Sequence, residues 1–238
     1  MNIKTYLNFI ISNYADYLSS LGYNKIYQDG NTIRIDKKGP TINNNLMLSI
    51  LKYNTIALGG FGWGVQLTEI DTPIIRTVLR KENQSEKYIK DILNAQFSIH
   101  AGVNLVNEQK VLDIYTDEDA TKSFELVRSY FENEIEPFFA KHSKLRNIYD
   151  FLVAVPKQEF WDRVGGKAIY YRELFIYKIY NEEKYQEYLK EVIPLIERDY
   201  KIWPLDFYKA QMAAFDELVA YIENNVTRLR ELYDPEML

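Results

Sequence analysis

Cysteine is absent from this 238-residue chain, which excludes a disulfide framework, a thiol nucleophile and a thiolate zinc site. Histidine occurs only twice, as His100 and His142, so a His-rich metal centre and an H-E-x-x-H pair are both out of reach. Ten Gly and seven Pro are too few for a collagenous or linker-dominated chain. No apolar run approaches the roughly 18 residues of a membrane span. The N-terminal segment superficially resembles a secretory leader, but Asn8, Ser12, Asn13 and Asp16 interrupt it. A cytoplasmic location without membrane contact is expected. The formal charge of -5 supplies no general basic field, so no nucleic-acid partner is expected.

Catalytic motifs are missing as well. There is no G-x-S-x-G nucleophile elbow. Gly165-Gly166-Lys167 hints at a phosphate loop, yet Trp161 and Asp162 precede it where glycine is needed, and Ala168 stands where Ser or Thr would bind magnesium. The glycine pair reads better as a joint between helices. Gly60-Phe61-Gly62-Trp63-Gly64 has the wrong spacing for a dinucleotide fingerprint and lies in strand-like sequence. No catalytic residue, metal or cofactor is expected.

What remains is a chain 47% hydrophobic and 26% charged, with 20 Tyr. Ile3, Leu7, Ile10, Tyr14, Tyr17 and Leu21 recur at steps of three and four and predict a helix ended by Gly22. Asp29-Gly30-Asn31 between two alternating stretches predicts a hairpin. Residues 38–45 read as a connection, 46–53 and 56–58 as strands. Phe61, Trp63, Val65 and Leu67 then alternate with Gly62, Gly64 and Gln66, a strand bulky on one face and bare on the other. Glycine there marks a bend, a bulge or a close approach; either neighbouring groups cover the bare face, or it forms a shallow recognition groove.

Asp71-Thr72-Pro73 reads as the start of a helix, and 85–95 as a second one. Phe97 to Leu105 alternates as a strand, with 111–115 pairing back on it as a hairpin. Thr116 followed by Asp117-Glu118-Asp119 is a helix N-terminus, the hydroxyl capping and the acids facing the dipole. That helix runs to Pro137, which should break or bend it. Ser143 can cap the next helix, and His142 suits the end of the one before. Further helices are predicted at roughly 157–164, 167–180, 182–201 with a kink at Pro194, and 205–232. The expected fold is α+β: an antiparallel sheet of five or six strands with helices on one face, in a domain over 1–116. A helical region over 117–238 follows, packed on the first or forming its own subdomain.

Residues 1–116 hold 12 basic against 10 acidic side chains, and residues 117–238 hold 17 against 24. Six tyrosines, Tyr170, Tyr171, Tyr177, Tyr180, Tyr185 and Tyr188, fall within nineteen positions of the acidic half. Tyr packs its ring inside with the hydroxyl outward, and it is also enriched at interfaces. A helix followed by a hairpin after "LGY", the strand "FSIHAGVNL", and "YFENEIEPFFAKHSKLRNIYDFL" together resemble bacterial α+β families, some found beside toxin genes and regarded as immunity proteins. The similarity spans roughly residues 1–155. It implies a non-enzymatic protein-binding role and carries no catalytic residues.

Two functions are therefore weighed. One is a module that covers a partner with a basic surface, through the Tyr-rich acidic helices including Tyr177 and Tyr180, or through the strand face bared at Gly62 and Gly64. A homodimer would use the same helices. The other is a small-molecule binder or enzyme with a cleft between sheet and helices, lined by His100, Asn104 and Trp63.

Overall fold

The computed structural model describes residues 1–95, 97–164 and 168–237. Gly165-Gly166-Lys167, with the helix start expected at 167, lie outside the described residues. In chain order the elements begin with α1 (Ile3–Ser20), β1 (Lys25–Asp29), β2 (Thr32–Lys37), β3 (Ile42–Lys52), β4 (Ile56–Leu67), α2 (Thr68–Lys81) and α3 (Glu86–Ala95). Then come β5 (Ile99–Asn104), β6 (Leu112–Ile114), α4 (Asp117–Tyr130), a π-helical segment (Phe131–Ile135) and α5 (Glu136–Lys141). The remainder is α6 (Leu145–Ala154), α7 (Lys157–Arg163), α8 (Ile169–Tyr180), α9 (Glu182–Leu189), α10 (Val192–Ile202), α11 (Asp206–Tyr233) and a 3-10 turn (Pro235–Met237). This is the expected α+β class. Among the described residues no helix is long and apolar enough to cross a membrane.

Two compact units interleave along the chain: Met1–Gln66 with Ile99–Lys141, and Leu67–Ser98 with His142–Leu238. The division does not follow a single cut after residue 116. Helix α4 packs on α1 and β6, and α2 packs on α8 and α11, so each unit recruits helices from both sides of that point.

In the first unit, Asn2 caps α1, its side-chain oxygen accepting the Thr5 N–H at 2.9 Å. Gly22, at φ +85°, ends it, and the Tyr23 N–H returns to the Leu18 carbonyl at 2.9 Å. The six-stranded sheet runs β1-β2-β3-β4-β5, with β6 also on β4. Two expectations change here. Asn43, Asn44 and Asn45 belong to β3, not to a connection, because the β2 ladder holds them in register as Lys37↔Asn44 and Asp36↔Asn45. Strand β6 pairs with β4 through Ile56↔Ile114 and Leu58↔Leu112, not with β5. Strand β4 is twelve residues long and β5 pairs only with Gly60 to Val65, which leaves the start of β4 open for β6.

Ile33, Ile35, Leu46, Leu48, Ile50, Phe61, Trp63 and Val65 are buried. Phe61 meets Tyr130 edge-on at 5.1 Å and Trp63 meets Phe138 at 6.5 Å, so the α4–α5 run covers this face of β4. Thr116 closes a capping box with Asp119, as its sequence promised. Pro137 does not break the helix. The Glu136 N–H reaches back to the Phe131 carbonyl, five residues away, and this π turn widens the helix directly before the proline.

In the second unit, α2 starts five residues ahead of Pro73. Asp71 still serves that terminus, but from inside it, accepting the Leu67 N–H at 3.2 Å. Pro194 lies in the first turn of α10 instead of kinking a longer helix, because a first-turn N–H has no intrahelical acceptor to lose. Asn181 caps α9 through the Lys184 N–H at 3.0 Å. Lys144, not Ser143, occupies the cap position of α6. His142 is buried just beyond α5.

Candidate functional site

The residues singled out from the sequence fall in three places. Gly62 pairs with Gly102, Gly64 with His100 and Gly60 with Asn104, so these six share one face of β4 and β5. Trp63 pairs with Ala101 and is buried on the opposite face against Phe61. It therefore lines no surface with His100, which corrects the expected cluster. Gly64 is buried, Gly62 and His100 are half-buried, and Gly102 and Asn104 are exposed. Close backbone approach explains the glycines: a Cβ on Gly60 would lie 2.5 Å from the Val103 carbonyl oxygen, and one on Gly102 3.0 Å from that of Phe61. At Gly62 the nearest atom would be 3.6 Å away.

Tyr177 and Tyr180 lie on α8 in the second unit. Tyr170, Tyr171, Tyr177, Tyr185 and Tyr188 are all buried, so the tyrosine cluster is core and offers no broad contact face. Tyr180 is half-buried and tilts against Tyr149 at 5.1 Å, with the Arg146 guanidinium 5.3 Å from its ring.

An exposed charged surface does exist, on the first unit. Residues 117–136 carry seven acids and two bases, and Asp117, Glu118, Glu125, Glu132, Glu134 and Glu136 are exposed. Both bases are engaged within the helix: Lys122 with Glu118 at 2.7 Å, and Arg128 with Glu132 at 3.0 Å and Glu125 at 3.7 Å. The hydrogen bond from Arg128 to Glu132 raises the guanidinium pKa. Arg128 also lies 4.7 Å from the ring of Tyr17 on α1, whose hydroxyl donates to Glu132 at 3.4 Å. Burial, and then the Glu132 charge, push that phenol pKa up. Asp117, Glu134 and Glu136 form no ion pair among the described residues. Aromatic packing beneath fixes the face: Tyr14 stacks on Phe124 at 3.7 Å and the Tyr6 hydroxyl bonds Ser123 at 2.7 Å.

The second unit hides polar groups that sequence reasoning passed over. Arg172 on α8 donates Nε to Asp71 Oδ1 at 2.7 Å, and Ser98 Oγ donates to Oδ2 of the same carboxylate. Glu173, beside Arg172, is also fully buried. The signal was present: Arg172-Glu173 interrupts an otherwise apolar and aromatic run from Ile169 to Tyr180. Among the described residues no group of three His, Asp or Glu is arranged to hold a metal ion.

No protein-family model matches this chain, and neither the curated proteins nor the solved structures contain a match.

Proposed function

We propose that the chain is a non-enzymatic protein-binding module that covers a basic partner surface with the acidic face of α4 and the π-helical segment. One observation carries this reading. The only two cations of residues 117–136, Lys122 and Arg128, are consumed by neighbouring carboxylates, which leaves Asp117, Glu134 and Glu136 to project an unbalanced negative potential. Such a field steers oppositely charged partners and suppresses wrong ones. The π turn at its C-terminal end is a type of irregularity that recurs at functional sites. An immunity-type role, in which the module neutralises a partner by coverage, is the form of this function that the sequence resemblance suggests.

Capture from the native host tests it, with wild type set beside a Glu132→Lys, Glu134→Lys, Glu136→Lys triple variant. Wild type should retain one basic protein that is released as salt rises, and the variant should not. Equal retention by both, or a co-purifying metabolite with no protein, would overturn it.

A further inference from the structure

Four consecutive apolar residues, Ile202-Trp203-Pro204-Leu205, join α10 to α11, and all four are exposed. Ile202 is 60%, Trp203 63% and Leu205 57% accessible. The backbone of this turn is nonetheless tied down. The Trp203 N–H donates to the Asp199 carbonyl at 2.8 Å, the Leu205 N–H to the Trp203 carbonyl at 2.7 Å and the Tyr208 N–H to the Leu205 carbonyl at 3.1 Å. Phe207, two residues on, anchors it by packing against the buried Ile75, Leu79 and Ile89. A contiguous apolar patch held out in water marks an interaction surface. Trp is, moreover, a side chain in which interface energy concentrates.

We infer that this turn is where a second copy of the chain docks, the two turns meeting across a two-fold axis. Charge favours a copy over other occupants. Residues 197–209 hold three acids, Glu197, Asp199 and Asp206, and three bases, Arg198, Lys201 and Lys209, in a half of the chain with 24 acids against 17 bases. Arg198 pairs with Asp199 at 2.9 Å and Lys209 with Asp206 at 3.0 Å. A patch that meets itself across a two-fold axis must be self-complementary, and a neutral rim on an otherwise acidic region is one that two copies can bring together without repulsion. It offers no excess charge to a basic partner or to an anionic lipid surface. Area sets the strength. At about 200 Å² for each large side chain, the exposed fractions of Ile202, Trp203 and Leu205 leave roughly 360 Å² per copy. The half-buried Tyr200, Phe207 and Tyr208 extend the patch towards the roughly 600 Å² per partner at the low end of specific interfaces. A reversible dimer of micromolar affinity follows. The contact lies in the second unit and is independent of the acidic face proposed for the first.

The test is sedimentation equilibrium of the full chain from about 1 µM to about 500 µM, the span that brackets such an affinity. Wild type should pass from monomer to dimer, and its tryptophan emission should shift to the blue over the same range, because Trp203 is exposed while Trp63 is buried and Trp161 half-buried. A Trp203→Ser, Leu205→Ser double variant should stay monomeric, its association weakened at least about 100-fold as expected on losing a central aromatic anchor, and should melt with wild type because both side chains lie in water. The Glu132→Lys, Glu134→Lys, Glu136→Lys variant should dimerise as wild type does, and added salt should not dissociate the dimer, which separates this contact from the acidic face. A wild type that remains monomeric throughout would overturn the proposal, even if the chain then sediments with phosphatidylcholine vesicles through this turn. So would a double variant that dimerises as strongly as wild type.

Discussion

Each compact unit buries an arginine, and the two are held differently. In the second unit Arg172 donates Nε to Asp71 Oδ1 at 2.7 Å, and its Nη2 lies 2.7 Å from the same oxygen as an ion pair without hydrogen-bond geometry. The other carboxylate oxygen accepts from Ser98 Oγ and the Leu67 N–H. In the first unit Arg34, only 2% exposed, reaches Asp36 at 3.4 Å and Asn45 at 3.5 Å, while its Nε and Nη1 make no hydrogen bond. Its best remaining contact is the Tyr27 ring at 5.6 Å. A buried ion pair repays its desolvation only when geometry and further hydrogen bonds are good. By that standard the Asp71 network locks α2, α8 and the segment at Ser98 together, whereas Arg34 contributes little to stability.

The largest expected effect separates these two cases. Asp71→Ala should cost about 3–5 kcal/mol by urea denaturation, because it strands a buried guanidinium, whereas replacing both members of the looser buried pair with apolar groups, Arg34→Met together with Asp36→Leu, should be neutral or stabilising. Equal costs would erase the contrast. Alkaline pH probes the first unit next. Burial pushes the Tyr6 hydroxyl up to about 12 from 10.0, so the folded state keeps a proton that the unfolded chain releases. That contribution is intact below pH 10 and is lost as the pH climbs towards 12, up to about 3 kcal/mol in all. Tyr6→Phe should flatten this part of the pH dependence, although it loses the bond to Ser123; an unchanged slope would mean other groups carry it. The smallest effect lies within the sheet. Gly60→Ala should cost about 1–3 kcal/mol by forcing β4 from β5, while Gly62→Ala stays within about 1 kcal/mol. Similar losses at both would show that the glycines answer to something other than backbone approach.

Local chemistry was readable in the sequence and long-range pairing was not. The Thr116 hydroxyl cap and the β1–β2 hairpin follow from residues within a few positions of each other. The β4–β6 pairing joins residues more than fifty positions apart, and nothing local encodes it. Alternation along 61–67 already placed Trp63 opposite Gly62 and Gly64, so grouping it with His100 ignored the period-two rule. Helix α8 was harder: nine of its twelve residues are buried, so it has no exposed stripe to betray orientation, and its tyrosines looked as much like interface as core. The acid excess was visible, but its placement required knowing that residues 117–141 belong to the sheet unit.

The central claim, that the α4 and π-segment face binds a basic partner, is tested most directly by amide hydrogen exchange on the purified complex with that partner. Slowed exchange concentrated in residues 117–136, and absent from α8 to α11, is the result expected. Protection confined to the second unit, with α4 exchanging as in the free chain, would contradict it.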